Sequence, residues 1–251
     1  QMKHVVVLNP KGGCGKMTIA THLAVYASTL GLRVALADHD EQASSHDWLK
    51  SRPRRCAEIA AIAAYDGAAI EGDFEVVIHD MPATAIFDHT SIAEASSKII
   101  IPIMPSPIDL KAAMRLWMKL SNSGWLDDPN IEIGVVANRI KNNSKYVQTL
   151  NAFIEKIGLP HITTLRDTQN YIRSLDAGLT LFDMPPNRVA DDLIQWQPLM
   201  EWTGFFDIED DELLELFGAQ ADVQPGADQM VSYEDMQAEQ LAEEGLGFEQ
   251  Y

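Results

Sequence analysis

Lysine and arginine are missing from the final stretch of the chain: from Asp207 to Tyr251 there are 14 acidic side chains and neither Lys nor Arg. A segment without cations is excluded as a surface for nucleic acid or anionic lipid, both of which are bound through positive charge. It also explains the formal charge of −18, because residues 1–206 hold 23 acids against 19 bases and can still carry a local basic patch. Cysteine is almost absent. Cys14 and Cys56 cannot form a disulfide framework, and Cys14 lies inside a glycine-rich loop, so a reducing cytoplasm is the expected setting. Long apolar runs are lacking too: stretches such as Ile99 to Met104 are strand-sized, which excludes a membrane-spanning helix, and no charged-then-apolar leader opens the sequence given.

What remains is ample for a core, with 46% hydrophobic residues arranged in short alternating segments. Residues 3–9 form a β-branched run ending at the glycines, followed by helical spacing from Thr18 to Leu30. Further strand-like runs cover 32–37, 74–79, 98–104, 131–137 and 161–165. Helix-length segments fall at about 42–50, 88–96, 107–121, 144–157, 168–178 and 188–202. This alternation predicts an α/β fold: a single doubly wound, mostly parallel sheet with helices on both faces. The alanine-rich block 52–72 gives no clear signal. After Phe206 the composition changes, so the chain divides into a body, 1–206, and an acidic tail, 207–251, partly helical or flexible, with an amphipathic stretch at 208–217 and a second short acidic helical segment at 233–246.

Open parallel sheets bind ligands beyond the carboxyl ends of their strands. The polar residues at those ends here are Asp38, Asp40, Asp80, Asn138 and Arg166. Between the first strand and helix stands Lys11-Gly12-Gly13-Cys14-Gly15-Lys16-Met17-Thr18. A phosphate-binding loop reads G-x-x-x-x-G-K-[ST]: backbone N–H groups cradle phosphates, the lysine reaches the β/γ oxygens, and the hydroxyl binds Mg²⁺. Met17 occupies the hydroxyl position, and a thioether is a poor ligand for a hard cation. The nucleotide-binding half of the motif is intact and the metal-binding half is damaged.

Three motifs in order, the loop with its extra Lys11, Asp38-His39-Asp40-Glu41-Gln42, and Val76-Val77-Ile78-His79-Asp80-Met81-Pro82-Ala83, resemble the ParA/MinD group of deviant Walker A ATPases. The resemblance covers residues 3 to about 202, is nearest to ParA-type partition or cargo-positioning proteins, and leaves the tail unexplained. It implies a P-loop ATPase binding ATP or ADP with Mg²⁺. It further implies a homodimer formed with ATP, non-specific DNA binding that would place the protein on the bacterial nucleoid, and a cargo adaptor that stimulates hydrolysis. By this resemblance Gly12, Gly13, Cys14, Gly15, Lys16, Met17 and Thr18 hold the phosphates. Lys11 reaches across the dimer to the partner's phosphates, Asp40 positions the attacking water, Asp80 holds Mg²⁺ through water, and Asp38 supports the metal and loop side. Asn138 stands where adenine is recognised, with Pro185 or Pro186 beside it; the plainer reading of Asn138 is a strand-end cap.

The departures carry as much weight. Met17 is consistent with an engineered or selected loss of hydrolysis, with a natural protein that uses Mg²⁺ weakly, or with a water replacing the hydroxyl; Thr18 lies about a hundred degrees further round the helix. Glu41 stands in place of the family's usual proline, and His79 in place of an aliphatic residue. His79 is expected to be packed rather than to serve a metal, and His39 lacks a second histidine at ligand spacing. Candidate DNA contacts are Lys141, Lys145, Arg166, Arg173 and Arg188. A MinD-like membrane role is disfavoured by the cation-free tail, and a nitrogenase iron-protein role by the positions of Cys14 and Cys56. The alternative function is a nucleotide-bound scaffold or regulatory module that does not hydrolyse.

Overall fold

The computed structural model describes residues 2–10, 15–141 and 144–205; Lys11 to Cys14 and the expected acidic tail, 207–251, lie outside the described residues, and Lys16 is described for its backbone alone. The strands are β1 (Lys3–Asn9), β2 (Val34–Asp38), β3 (Ala60–Ala63), β4 (Val76–Pro82), β5 (Ser96–Ile103), β6 (Glu132–Ile140) and β7 (His161–Arg166). All pairings are parallel, in the order β3-β2-β4-β1-β5-β6-β7. The helices are α1 (Lys16–Thr29), α2 (Ser44–Ser51), α3 (Thr90–Ala95), α4 (Pro107–Ser123), α5 (Val147–Ile157), α6 (Gln169–Asp176) and α7 (Pro186–Thr203). This is the doubly wound, parallel α/β architecture expected from the alternation of elements.

One strand was not legible in the alanine-rich block. Ala60-Ala61-Ile62-Ala63 has weak β propensity, yet it pairs with β2 at the sheet edge, where packing outweighs propensity. β1 occupies the centre because Val5 to Leu8 are buried on both faces, which an apolar parallel strand requires. α1 packs across β1, β2 and β4 on one face. On the other, Val6, Leu8, Met81, Ile99 and Ile101 join Leu116 and Leu120 of α4 and Leu150 and Ile154 of α5. A second cluster on this face, Ala35, Ala37, Ile62 and Val77, is covered by Ile70 and Phe74. No helix among the described residues is long and apolar enough to cross a membrane.

The elements are locked at their ends. Gly178, at φ +68, lies so close to Ser51 C=O that a Cβ there would overlap it, and this approach brings the end of α6 against the end of α2. Beside it Arg52 makes a bidentate pair with Asp183, both bonds 3.0 Å and both side chains nearly buried. Asp183 also accepts from the Thr180 N–H and hydroxyl, closing the turn Leu181–Asp183.

Candidate functional site

β1, β2, β4 and β6 all end at one rim of the sheet, and a cavity of about 380 Å³ opens there. Gly15, Met17 and Thr18 line one wall, and Asp40, Gln42, Ser44 and Asp80 a second. Asn138 and Arg139, with Asp167, Thr168, Tyr171, Ile172 and Leu175, complete it. A shallower hollow between α5 and β7, lined by Asn151, Glu155 and His161 among others, lies toward the start of β7 and contains none of the motif residues.

Gly15 is the N-cap of α1, with φ +93, and offers no side chain to the helix end. The first turn of α1 also has no acid. The free N–H groups of that turn, with the positive end of the helix dipole, therefore favour an anion. A Cβ at Gly15 would overlap Nδ2 of Asn138, so the backbone passes this point only as glycine. Asn138 is buried, and its Oδ1 accepts the Arg139 N–H at 3.0 Å, while Arg139 itself has φ +53. Strained backbone of this kind concentrates at ligand sites.

The acids divide by role. Asp38 is 1% exposed; its Oδ2 accepts the N–H groups of Ser45 and His46, both at 3.0 Å, and its Oδ1 accepts that of Asp40 at 3.0 Å. It caps α2 and shapes the loop, and it does not line the cavity. Asp40 and Asp80 do line it. Asp40 Oδ1 accepts the Gln42 N–H at 3.1 Å. Asp80 is 1% exposed and its Oδ2 accepts a short bond from the Ser45 hydroxyl. Ser45 escapes sequence reading because its link to Asp80 joins separate motifs; its only signal is a serine pair at the start of a helix. Pro186, in the first turn of α7, is not among the cavity-lining residues.

The cavity's far wall is stiffened by a buried aromatic group. The Trp196 indole donates to the Tyr171 hydroxyl at 2.9 Å, and His22 stacks on Trp196 with centroids 4.9 Å apart. His22 Nδ1–H donates to Thr18 C=O at 2.7 Å, and its Nε2 accepts the Leu181 N–H at 3.1 Å. Burial holds the His22 pKa down, at about 4, against the opposing pull of the Thr18 carbonyl. At the mouth Asp167 pairs with Lys141 and Arg139 at 3.0 and 3.4 Å. Burial acts to raise its pKa, but these partners outweigh it and the carboxyl titrates below its ordinary value.

The candidate DNA contacts differ in setting. Arg166 binds the buried Asp192 at 2.5 Å, its pKa raised by that hydrogen bond. Lys145 lies over the Tyr146 ring, while Arg173 and Arg188 are exposed. No group of three or more His, Cys, Asp or Glu among the described residues is placed to hold a metal ion.

A glycine-capped helix following the central strand, with acids at the ends of the neighbouring strands, defines a P-loop nucleotide-binding protein. The chain belongs to the CobQ/CobB/MinD/ParA nucleotide-binding domain family, whose model matches residues 5–181. It is 25% identical over 189 residues to the Maintenance of carboxysome distribution protein A of Halothiobacillus neapolitanus, spanning 72% of this chain and 87% of that protein. Its fold is similar to a putative plasmid partition protein of Borrelia burgdorferi B31 solved with bound AMPPNP, at TM-score 0.61 and 15% identity, covering 80% of this chain and 99% of that one. It is also similar to apo McdA of Cyanothece, at TM-score 0.60 and 17% identity, covering 79% and 100%.

Proposed function

We propose that the chain is a ParA-like ATPase that dimerises on ATP and positions or partitions an intracellular cargo, such as a plasmid, a chromosome or a protein complex, through nucleotide-switched, non-specific DNA binding. The observation that carries this reading is the meeting of Gly15, Asp40 and Asp80 in one cavity at the end of the central strands.

The glycine loop and the first turn of α1 receive the phosphates, with Lys16 on the β/γ oxygens and Thr18 on the α-phosphate. Thr168, Tyr171 and Ile172, which line the same cavity as Gly15 and Asn138, are the candidates to receive the base. Asp40 orients the attacking water, and Lys11 of each copy offsets charge developing on the other's nucleotide. The acids partly fit Mg²⁺: Asp80 faces the cavity, whereas Met17 contributes no oxygen where a hydroxyl belongs. Asp80 would hold Mg²⁺, which would supply neutralisation of the phosphate charge. Turnover is therefore slow relative to binding.

The second reading, a nucleotide-loaded scaffold that does not hydrolyse, is favoured by Met17 lining the cavity. ATP hydrolysis with Mg²⁺, for the native chain and Met17→Thr, with and without DNA, separates the two. Slow native turnover that rises in Met17→Thr supports the switch; no turnover in either, with ATP bound, supports the scaffold. Equal turnover in both overturns the metal argument. DNA affinity should fall steeply with added salt, and a salt-insensitive signal sinks the DNA component.

A further inference from the structure

His4 on β1, His79 on β4 and His39 just after β2 stand far apart in sequence but share one face of the sheet. Val6 and Ala37 both stand opposite His79, and side chains two residues apart along a strand point the same way. This is the face opposite to that of Asp80. His4 Nδ1 lies 2.9 Å from His79 Nε2, and His79 Nδ1 lies 3.0 Å from His39 Nε2. Both ring pairs have centroids 5.2 Å apart, and the exposed His89 adds its ring 5.7 Å from His39. The result is a column of imidazoles between the two apolar clusters, with one end at His4 and the other beside the cavity acids.

The central ring is fully buried. Its two nitrogens both face imidazole nitrogens at hydrogen-bond distance, an arrangement that a ring with one N–H and one lone pair satisfies. It must donate to one neighbour and accept from the other. Both of its nitrogens are satisfied only while His4 and His39 are held at ring distance, so the three side chains are fixed as a set. His39 is thereby gripped twice, by its ring on His79 and by its N–H on Asp80 C=O at 2.9 Å. The loop it enters ends at Ala43, whose φ of +53 is a conformation the surroundings must sustain.

We propose that His79 and His4 are positioning residues: the imidazole column is a tether that holds the 39–42 loop, and with it the Asp40 carboxylate, in register with Asp80 on the adjacent strand. The catalytic part of this inference rests on the reading of Asp40 given above; the tether itself does not.

The test uses the full chain with ¹⁵N-labelled histidine. The expected result is a pair of nitrogen–nitrogen couplings across the His4–His79 and His79–His39 bonds, and their absence overturns the column. Amide exchange is then compared in the native chain, His79→Leu, His79→Gln and His4→Leu. His79→Leu should speed exchange at residues 39–42 by about tenfold while leaving β5 and β6 unchanged. Glutamine, with one donor and one acceptor, should restore most of the protection, and His4→Leu should fall between. Unchanged exchange at 39–42 in folded His79→Leu overturns the tether; if that variant does not fold, unchanged exchange in His4→Leu does so. In whichever of the native or Met17→Thr backgrounds turns over ATP, His79→Leu should lower kcat about tenfold at constant KM. A fall in KM and kcat together, or no fall, overturns the positioning role. If neither background binds ATP, the proposed function fails while the exchange result still decides the tether.

Discussion

Three single residues make predictions of different kinds. At Met17 the measurement is ATP affinity with Mg²⁺ against affinity with chelator. Met17→Thr is expected to gain on the order of tenfold from Mg²⁺ and the native chain much less, because an oxygen donor replaces a thioether. At Gly15, alanine would meet both a left-handed backbone and the Asn138 amide. Gly15→Ala should lose about 1–3 kcal/mol of stability and nearly all nucleotide binding, read by urea unfolding and calorimetry. At His22 the folded pKa of about 4 lies below the unfolded value, so the folded state favours the neutral ring. That contribution is whole above the unfolded pKa of about 6.5 and is lost as the pH falls toward 4, on the order of 3 kcal/mol in total. Urea unfolding between pH 7 and pH 4 should show a shallower pH dependence for His22→Leu than for the native chain, although the variant is weaker at pH 7.

Among the elements, the end of α2 is tied to the Leu181–Asp183 turn by the nearly buried Arg52–Asp183 pair. Arg52→Ala leaves Asp183 nearly buried without its bidentate partner, and the expected loss in urea unfolding is about 3 kcal/mol, with nucleotide affinity little changed. The same level shows what sequence could convey. The strands carrying Asp80 and Asn138 were legible because they are β-branched runs that stop at a polar residue, a signal local to each run. β3 was not, since alanines acquire strand geometry only from the neighbour they pair with. The candidate site was legible as motifs at strand ends, and the resemblance separated Asp38 from Asp40, but the hold of Asp38 on the start of α2 was not legible. That hold depends on which carboxylate turns back onto the α2 N–H groups. Ser45 depends on the packing of α2 against β4, and the histidine column on pairing between separate strands; no spacing along the chain encodes either.

At the scale of the whole molecule, charge is distributed unevenly. Residues 207–251 hold 14 of the 37 acids and none of the bases. A chain ending at Phe206 is expected to unfold as cooperatively as the full chain and to bind ATP equally well. Under the proposed function it should bind DNA more tightly at low salt, because a repelling segment is gone. Filter binding across a salt series checks this, and identical isotherms would show that the tail does not touch the DNA equilibrium.

The strand order has a kinetic consequence. β1, which leads into the glycine loop, is made first but lies between β4 and β5, which begin at Val76 and Ser96. With every pairing among the described residues parallel, these strands offer no hairpin from which the sheet could start, and long loops must close before any contact repays them. The phosphate cradle therefore comes into existence only when the sheet is nearly complete. Nucleotide arrives after the folding barrier has been crossed: stopped-flow measurements should find ATP slowing the unfolding limb while leaving the refolding limb where it was.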